Sequence, residues 1–138
     1  FSVPENLFII GMMNTADRSL AMIDYALRRR FSFFEIEPGF NSEGFQKYQS
    51  GFENKTFDAL IGQIKALNRD IMKDKSLGRG FRIGHSYLCG RESGECSTDW
   101  MRSVVEFDIL PMLSEYWFDD PDTLQRWEKN LLGVFNDD

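Results

Sequence analysis

The sequence predicts an α+β chain that is mostly helical: a strand–helix–strand segment followed by a run of helices. Two observations carry this. Short apolar runs at Leu7–Met13 and Phe31–Glu37 bracket a segment with helical spacing. After Pro38 the strand signals fade, and apolar residues recur at helical spacing in three later stretches. The organisation is therefore read as residues 1–40, the end of a larger α/β domain, and residues 41–138, a helical subdomain. Two buried-type strands in 40 residues need neighbours to cover their edges, so the first part is not expected to be a domain by itself.

Leu7-Phe8-Ile9-Ile10-Gly11-Met12-Met13 is a continuous apolar run, as in a parallel strand covered on both faces. Asn14 to Ser19 are polar turn and N-cap residues where a helix can start. Leu20, Ile23 and Leu27 give that helix one apolar face, and Arg28-Arg29-Arg30 ends it. Phe31 to Glu37 reads as a second strand, stopped by Pro38-Gly39. Phe57, Leu60, Ile61, Ile64, Leu67 and Ile71 form the clearest helical stripe in the chain. Gly78 to Gly94 is glycine-rich and irregular. Ser97 or Thr98 can cap a helix carrying Met101, Val105, Ile109, Met112 and Tyr116. Pro111 should kink or restart that helix near Phe107, because its ring meets the carbonyl four residues back. Asp120-Pro121 pairs an N-cap with proline at the first helical position, and Gly133 ends the amphipathic run through Leu124, Trp127, Leu131 and Leu132.

Composition excludes several classes. The 138 residues are 42% hydrophobic and 14% aromatic, with 13 Phe, which is enough apolar mass for a core. No apolar run approaches the ~20 residues of a membrane span. Two cysteines are too few for a disulfide scaffold and suit a reducing cytoplasm, and no secretory signal stands at Phe1. The formal charge of −6 argues against a general phosphate-backbone binder. Residues 1–40 carry net −1, residues 41–95 net +2 and residues 96–138 net −7, so the last third would repel nucleic acid.

Several motifs fail on chemistry. Gly39 to Gln46 has the glycine spacing of a P-loop, but Phe45 and Gln46 stand where lysine and Ser/Thr are required. His85, Cys89 and Cys96 have zinc-ligand chemistry at no standard spacing and without a fourth ligand, so no metal site is expected. No nucleophile elbow accompanies the single histidine.

Two clusters remain. Asn14, Asp17 and Arg18 follow an apolar strand, the place where open α/β sheets hold ligands. An Asn amide there can both donate to a phosphate and orient a water. The plainer alternative is a capped helix start. Arg28-Arg29-Arg30 suits a helix C-terminus electrostatically. It also suits an arginine finger, a planar fork that stabilises charge on a transferring phosphoryl group.

The run Ile9-Ile10-Gly11-Met12-Met13-Asn14-Thr15-Ala16-Asp17-Arg18-Ser19, followed by Asp24-Tyr25-Ala26-Leu27-Arg28-Arg29-Arg30-Phe31, closely resembles the McrB family. These are AAA+ proteins, the GTP-hydrolysing motor subunits of 5-methylcytosine-directed restriction systems. The resemblance continues through Ile36–Phe40, Gly80–Tyr87 and Glu115–Pro121. It implies that residues 1–40 are the end of an AAA+ α/β core and residues 41–138 its helical lid. It further implies that Asn14 is the sensor 1 residue, that Asp17 and Arg18 complete a signature loop, and that Asp24 supports the relay to a neighbouring subunit. Arg30 would be the finger and Arg29 its companion, with Arg28 structural. His85 occupies the sensor 2 stretch, where most AAA+ proteins have arginine; a weak nucleotide contact and a hydrogen-bonded lid histidine both stay open.

No P-loop lysine and no Walker B acid pair occur in this sequence, so the resemblance implies that both lie upstream of Phe1 and that the chain alone hydrolyses nothing. GTP and Mg2+ would be held mainly by residues outside it. The implied partners are further copies in a ring, expected as a hexamer, a McrC-like nuclease subunit, and DNA reached through an N-terminal domain. Two alternatives remain. One is a related AAA+ ATPase of the remodelling class. The other is a non-catalytic assembly module docking through Trp100, Trp117, Phe118 and Trp127. A Gly-x-x-x-x-Gly-Lys-Ser/Thr upstream of Phe1 would favour the motor, and its absence the module.

Overall fold

The computed structural model describes residues 1–14, 16 and 25–136. They form two compact units, Phe1–Phe34 and Glu35–Asp138.

In the first unit one short helix is described, α1 (Tyr25–Arg28). The backbone N–H of Arg30 donates to the Leu27 carbonyl at 3.0 Å and closes the turn that ends it. The expected strands do not form: no strand occurs among the described residues, at Leu7–Met13 or at Phe31–Glu37. The strand–helix–strand expectation is corrected to that extent. The physical reason lies in the expectation itself. A strand is defined by a ladder to a neighbour, and an apolar run covered on both faces needs layers above and below. Among the described residues neither is present, and Phe8, Ile10 and Met12 are about nine-tenths exposed.

The second unit is helical: α2 (Glu43–Gly51), α3 (Lys55–Lys73), α4 (Thr98–Val104), α5 (Leu110–Tyr116) and α6 (Pro121–Gly133), with 3₁₀ turns at Gly39–Asn41, Arg79–Phe81 and His85–Leu88. The α3 stripe is realised in full. Phe57, Leu60, Ile61, Ile64, Leu67 and Ile71 are all buried at the centre of the core. Asn54 starts α3 by accepting the Phe57 N–H at 3.0 Å, and its amide also donates to the Cys96 carbonyl at 3.2 Å. Ser97 caps α4, and Asp120 with Pro121 starts α6 as the sequence indicates.

Pro111 acts one step differently from a simple kink. Between α4 and α5 lies a π turn, Val105–Ile109, where the Leu110 N–H reaches back five residues to the Val105 carbonyl. Widening the helix there relieves the clash that the proline ring would make with the carbonyl of Phe107. It also resets the helix face: Met101, Val105, Ile109, Leu113 and Trp117, each four apart, are all buried. A plain α-helix would rotate such a row away from the core.

Candidate functional site

Asn14 is exposed, and its Oδ1 accepts the Ala16 N–H at 3.0 Å, a local turn bond. Its amide N is thus directed elsewhere than to Ala16. Asp17, Arg18 and Asp24 lie outside the described residues. Arg28 closes α1 and places its guanidinium 5.9 Å from the centre of the Phe33 ring. Arg29 and Arg30 follow in the exposed turn, at the negative end of the helix. These residues belong to the first unit and His85 to the second.

In the second unit a single loop organises the polar chemistry. It begins with Asn68, a buried polar residue inside the apolar stripe of α3. Its amide donates to the Ile83 carbonyl at 2.9 Å, and its Oδ1 accepts the Ile83 N–H at 2.6 Å. Both backbone groups of a buried residue are thereby satisfied by one side chain, as a neighbouring strand would satisfy them. The residues on either side are aimed at the segment 35–41. Arg82, with only 9% of its side chain exposed, bonds Glu35 at 3.0 Å and approaches Glu37 at 3.6 Å, while its Nε donates to the Arg79 carbonyl at 2.9 Å. Arg79 reaches the other oxygen of Glu35 at 3.4 Å. His85 Nδ1 accepts the Gly39 N–H at 2.9 Å. That bond needs an unprotonated Nδ1, which puts the ring proton on Nε2. The imidazole also meets Phe45 edge-on at 5.6 Å and Phe40 at 6.0 Å. Gly39 is required for this approach, since a β-carbon there would stand 2.8 Å from His85 Cε1.

A second polar junction ties α3 to α5. Asp74 accepts the Ser76 hydroxyl at 2.6 Å, the Ser76 N–H at 2.8 Å and the Trp117 indole N–H at 2.9 Å. The Ser76 hydroxyl, then Trp117, hold its carboxyl below the usual aspartate value. Gly78, with φ of 89°, turns the chain so that its N–H reaches back to the Ile71 carbonyl.

Burial pushes both thiols, Cys89 and Cys96, above their ordinary value. Among the described residues no group of three or more His, Cys, Asp or Glu is placed to hold a metal ion. Among them no helix is long and apolar enough to cross a membrane. The false P-loop falls across the 3₁₀ turn Gly39–Asn41 and the first turn of α2, where Ser42 Oγ accepts the Phe45 N–H at 3.2 Å. Trp117 and Trp127 are buried in the core and Trp100 is half-buried, leaving Phe118 as the exposed member of the aromatic set.

Sequence reasoning passed over Asn68 and Arg82. Asn68 was findable, because it fills a slot in the 57–71 stripe where every other member is apolar.

The second unit is by its architecture a helical domain. Residues 59–125 match the family described as McrB, alpha-helical lid domain, so the chain carries the McrB lid. It is also similar to a subunit from Escherichia coli (strain K12), the "Type IV methyl-directed restriction enzyme EcoKMcrB subunit". Identity is 51% over 138 positions, covering 96% of this chain. The chain spans 30% of that relative's length.

Proposed function

We propose that this chain is part of a GTP-hydrolysing AAA+ motor subunit of a modification-dependent DNA restriction system, supplying sensor 1, the arginine finger and the lid. The observation that carries this is the extent of the likeness. At 96% of the chain it takes in both the arginine run of α1 and the lid. A lid match alone would say nothing of catalysis. In this reading Asn14 orients the attacking water, while Asp17, Arg18 and Asp24 relay contacts between subunits. Arg30, with Arg29 beside it, reaches the nucleotide of the next copy in a ring, expected as a hexamer. Asn14 and Arg30 are exposed and chemically suited to phosphate oxygens. In this reading GTP and Mg2+ are held mainly by residues outside this chain, because the sequence has no P-loop lysine.

The same reading gives the exposed apolar runs a purpose. Leu7–Met13 and Phe31–Phe34 would add to an AAA+ sheet whose remaining strands and covering helices come from the rest of the protein. Exposed apolar surface of that extent is otherwise a liability. A McrC-like nuclease and DNA would be partners of the assembled ring.

The test is steady-state hydrolysis of GTP and ATP by the full-length protein, with and without its nuclease subunit. A GTP preference, with Arg30→Ala losing roughly 10³-fold or more in rate, is expected for an arginine finger. An ATP preference would move the protein to the remodelling class. No turnover in any combination would leave an assembly module. Turnover by the 138-residue chain alone would refute the division of labour proposed here.

A further inference from the structure

The strongest placement of chemistry outside the proposed phosphate cluster is the loop Arg82–His85. It is held from inside by Asn68 and grips residues 35–41 at two separate points. At one end Arg82 and Arg79 share the carboxylate of Glu35, and Arg82 also faces Glu37. At the other, His85 accepts the Gly39 N–H and its ring covers the glycine face. Beyond the second point Phe40 is buried in the core of the helical unit, and Ser42 Oγ donates back to the Gly39 carbonyl at 2.7 Å.

We propose that residues 35–41 are a strap carried by the lid, with Asn68, Arg82 and His85 as the positioning residues that set its grip. The joint about which the lid moves then lies before Glu35, not at the Pro38-Gly39 turn that sequence chemistry marks. Two features separate this from ordinary surface pairing. The Arg82 side chain is almost wholly covered, so its geometry toward the exposed carboxylates of Glu35 and Glu37 is held by packing where a surface arginine would be free to move. The Gly39 contact is steric as well as polar, because a β-carbon at that position would stand 2.8 Å from the imidazole and force the ring to shift. The consequence for the proposed motor, on which this inference rests for its catalytic arm, is that His85 acts through the strap and not on the nucleotide.

Hydrogen exchange in the full-length protein tests the strap directly. The Gly39 amide is expected to be protected. His85→Ala should speed its exchange about 5-fold or more, the equilibrium worth of one hydrogen bond, while the α3 amides keep their protection. His85→Asn, whose amide oxygen can still accept, should restore part of it. If His85→Ala unfolds the lid, which loss of α3 protection would reveal, the double variant Glu35→Gln, Glu37→Gln decides. It alters only exposed side chains, and should loosen Arg82 and speed exchange of its Nε–H, which donates to the Arg79 carbonyl, while the Gly39 amide stays protected. A wild-type Gly39 amide exchanging at the free-chain rate, or no change at the strap in these variants, overturns the proposal. In the turnover assay His85→Ala should lower kcat at unchanged KM, with partial rescue by asparagine. A raised KM at unchanged kcat would mean direct nucleotide contact and also overturns it. Absence of any turnover would sink the motor reading alone, since the exchange result still decides the strap.

Discussion

Asn68→Ala removes the one side chain that satisfies both backbone groups of Ile83. Ile83 is 1% exposed, so its N–H and carbonyl have no ready access to water. Leaving a buried donor or acceptor unpaired costs ~1–3 kcal/mol each. Two such groups give ~2–6 kcal/mol, with about 3 the working value once water entering the vacated space offsets part. Whole-domain stability is only ~5–15 kcal/mol, so the change is large. With a urea slope of ~1–3 kcal/mol/M, the unfolding midpoint should fall by ~1–3 M. The indoles of Trp117 and Trp127, both buried in the helical unit, report the transition by fluorescence. Asn68→Asp is the sharper variant. It keeps an acceptor for the Ile83 N–H but turns a carboxylate oxygen against the Ile83 carbonyl, so it should rescue nothing. A loss under ~0.5 kcal/mol for Asn68→Ala, the range of ordinary surface substitutions, would refute the reasoning.

Two further outcomes follow from the same geometry. Asn54→Ala loses a helix cap and the tie to Cys96, and should cost ~1–2 kcal/mol; Asn54→Ser should recover the cap share alone, as read by thermal unfolding. Asp74 has a folded-state pKa below its ordinary value, so its contribution is present above about pH 4 and lost as pH falls through the lowered value. Asp74→Asn should therefore flatten the acid limb of the urea midpoint against pH; an unchanged limb would show that other carboxylates carry it.

The helical unit was largely legible because its signals are local. The α3 stripe, the Ser97 and Asp120 caps and the Gly133 stop each depend on a few neighbouring residues, and each stands where the pattern put it. Pro111 announced a disturbance near Phe107, though not its π form, because relief of a clash by widening depends on which face must stay in the core. Helix α2 escaped notice: two of its nine residues are glycine, and only Phe45 is buried. The expected strands depended on partners that no single segment encodes. The grip on residues 35–41 was invisible for a similar reason, since Glu35 and Arg82 are 47 residues apart and each looks like ordinary surface charge.

The π turn makes the chain unequal in its tolerance of altered length. Each residue in a helix advances the face by about 100°. Deleting one residue from Val105–Ile109 would return the stretch to a plain α-helix in which the lost residue and the lost widening cancel, so Leu113 and Trp117 would keep facing the core. Deleting one residue from α4, or from α5 ahead of Leu113, where no extra residue is stored, would instead swing Leu113 and Trp117 off the face shared with Met101 and pull the Trp117 indole away from Asp74, so one missing codon would undo packing and polar junction at once. The loop from Gly90 to Cys96 sits largely at the surface, and a residue added there would be absorbed without moving any helix.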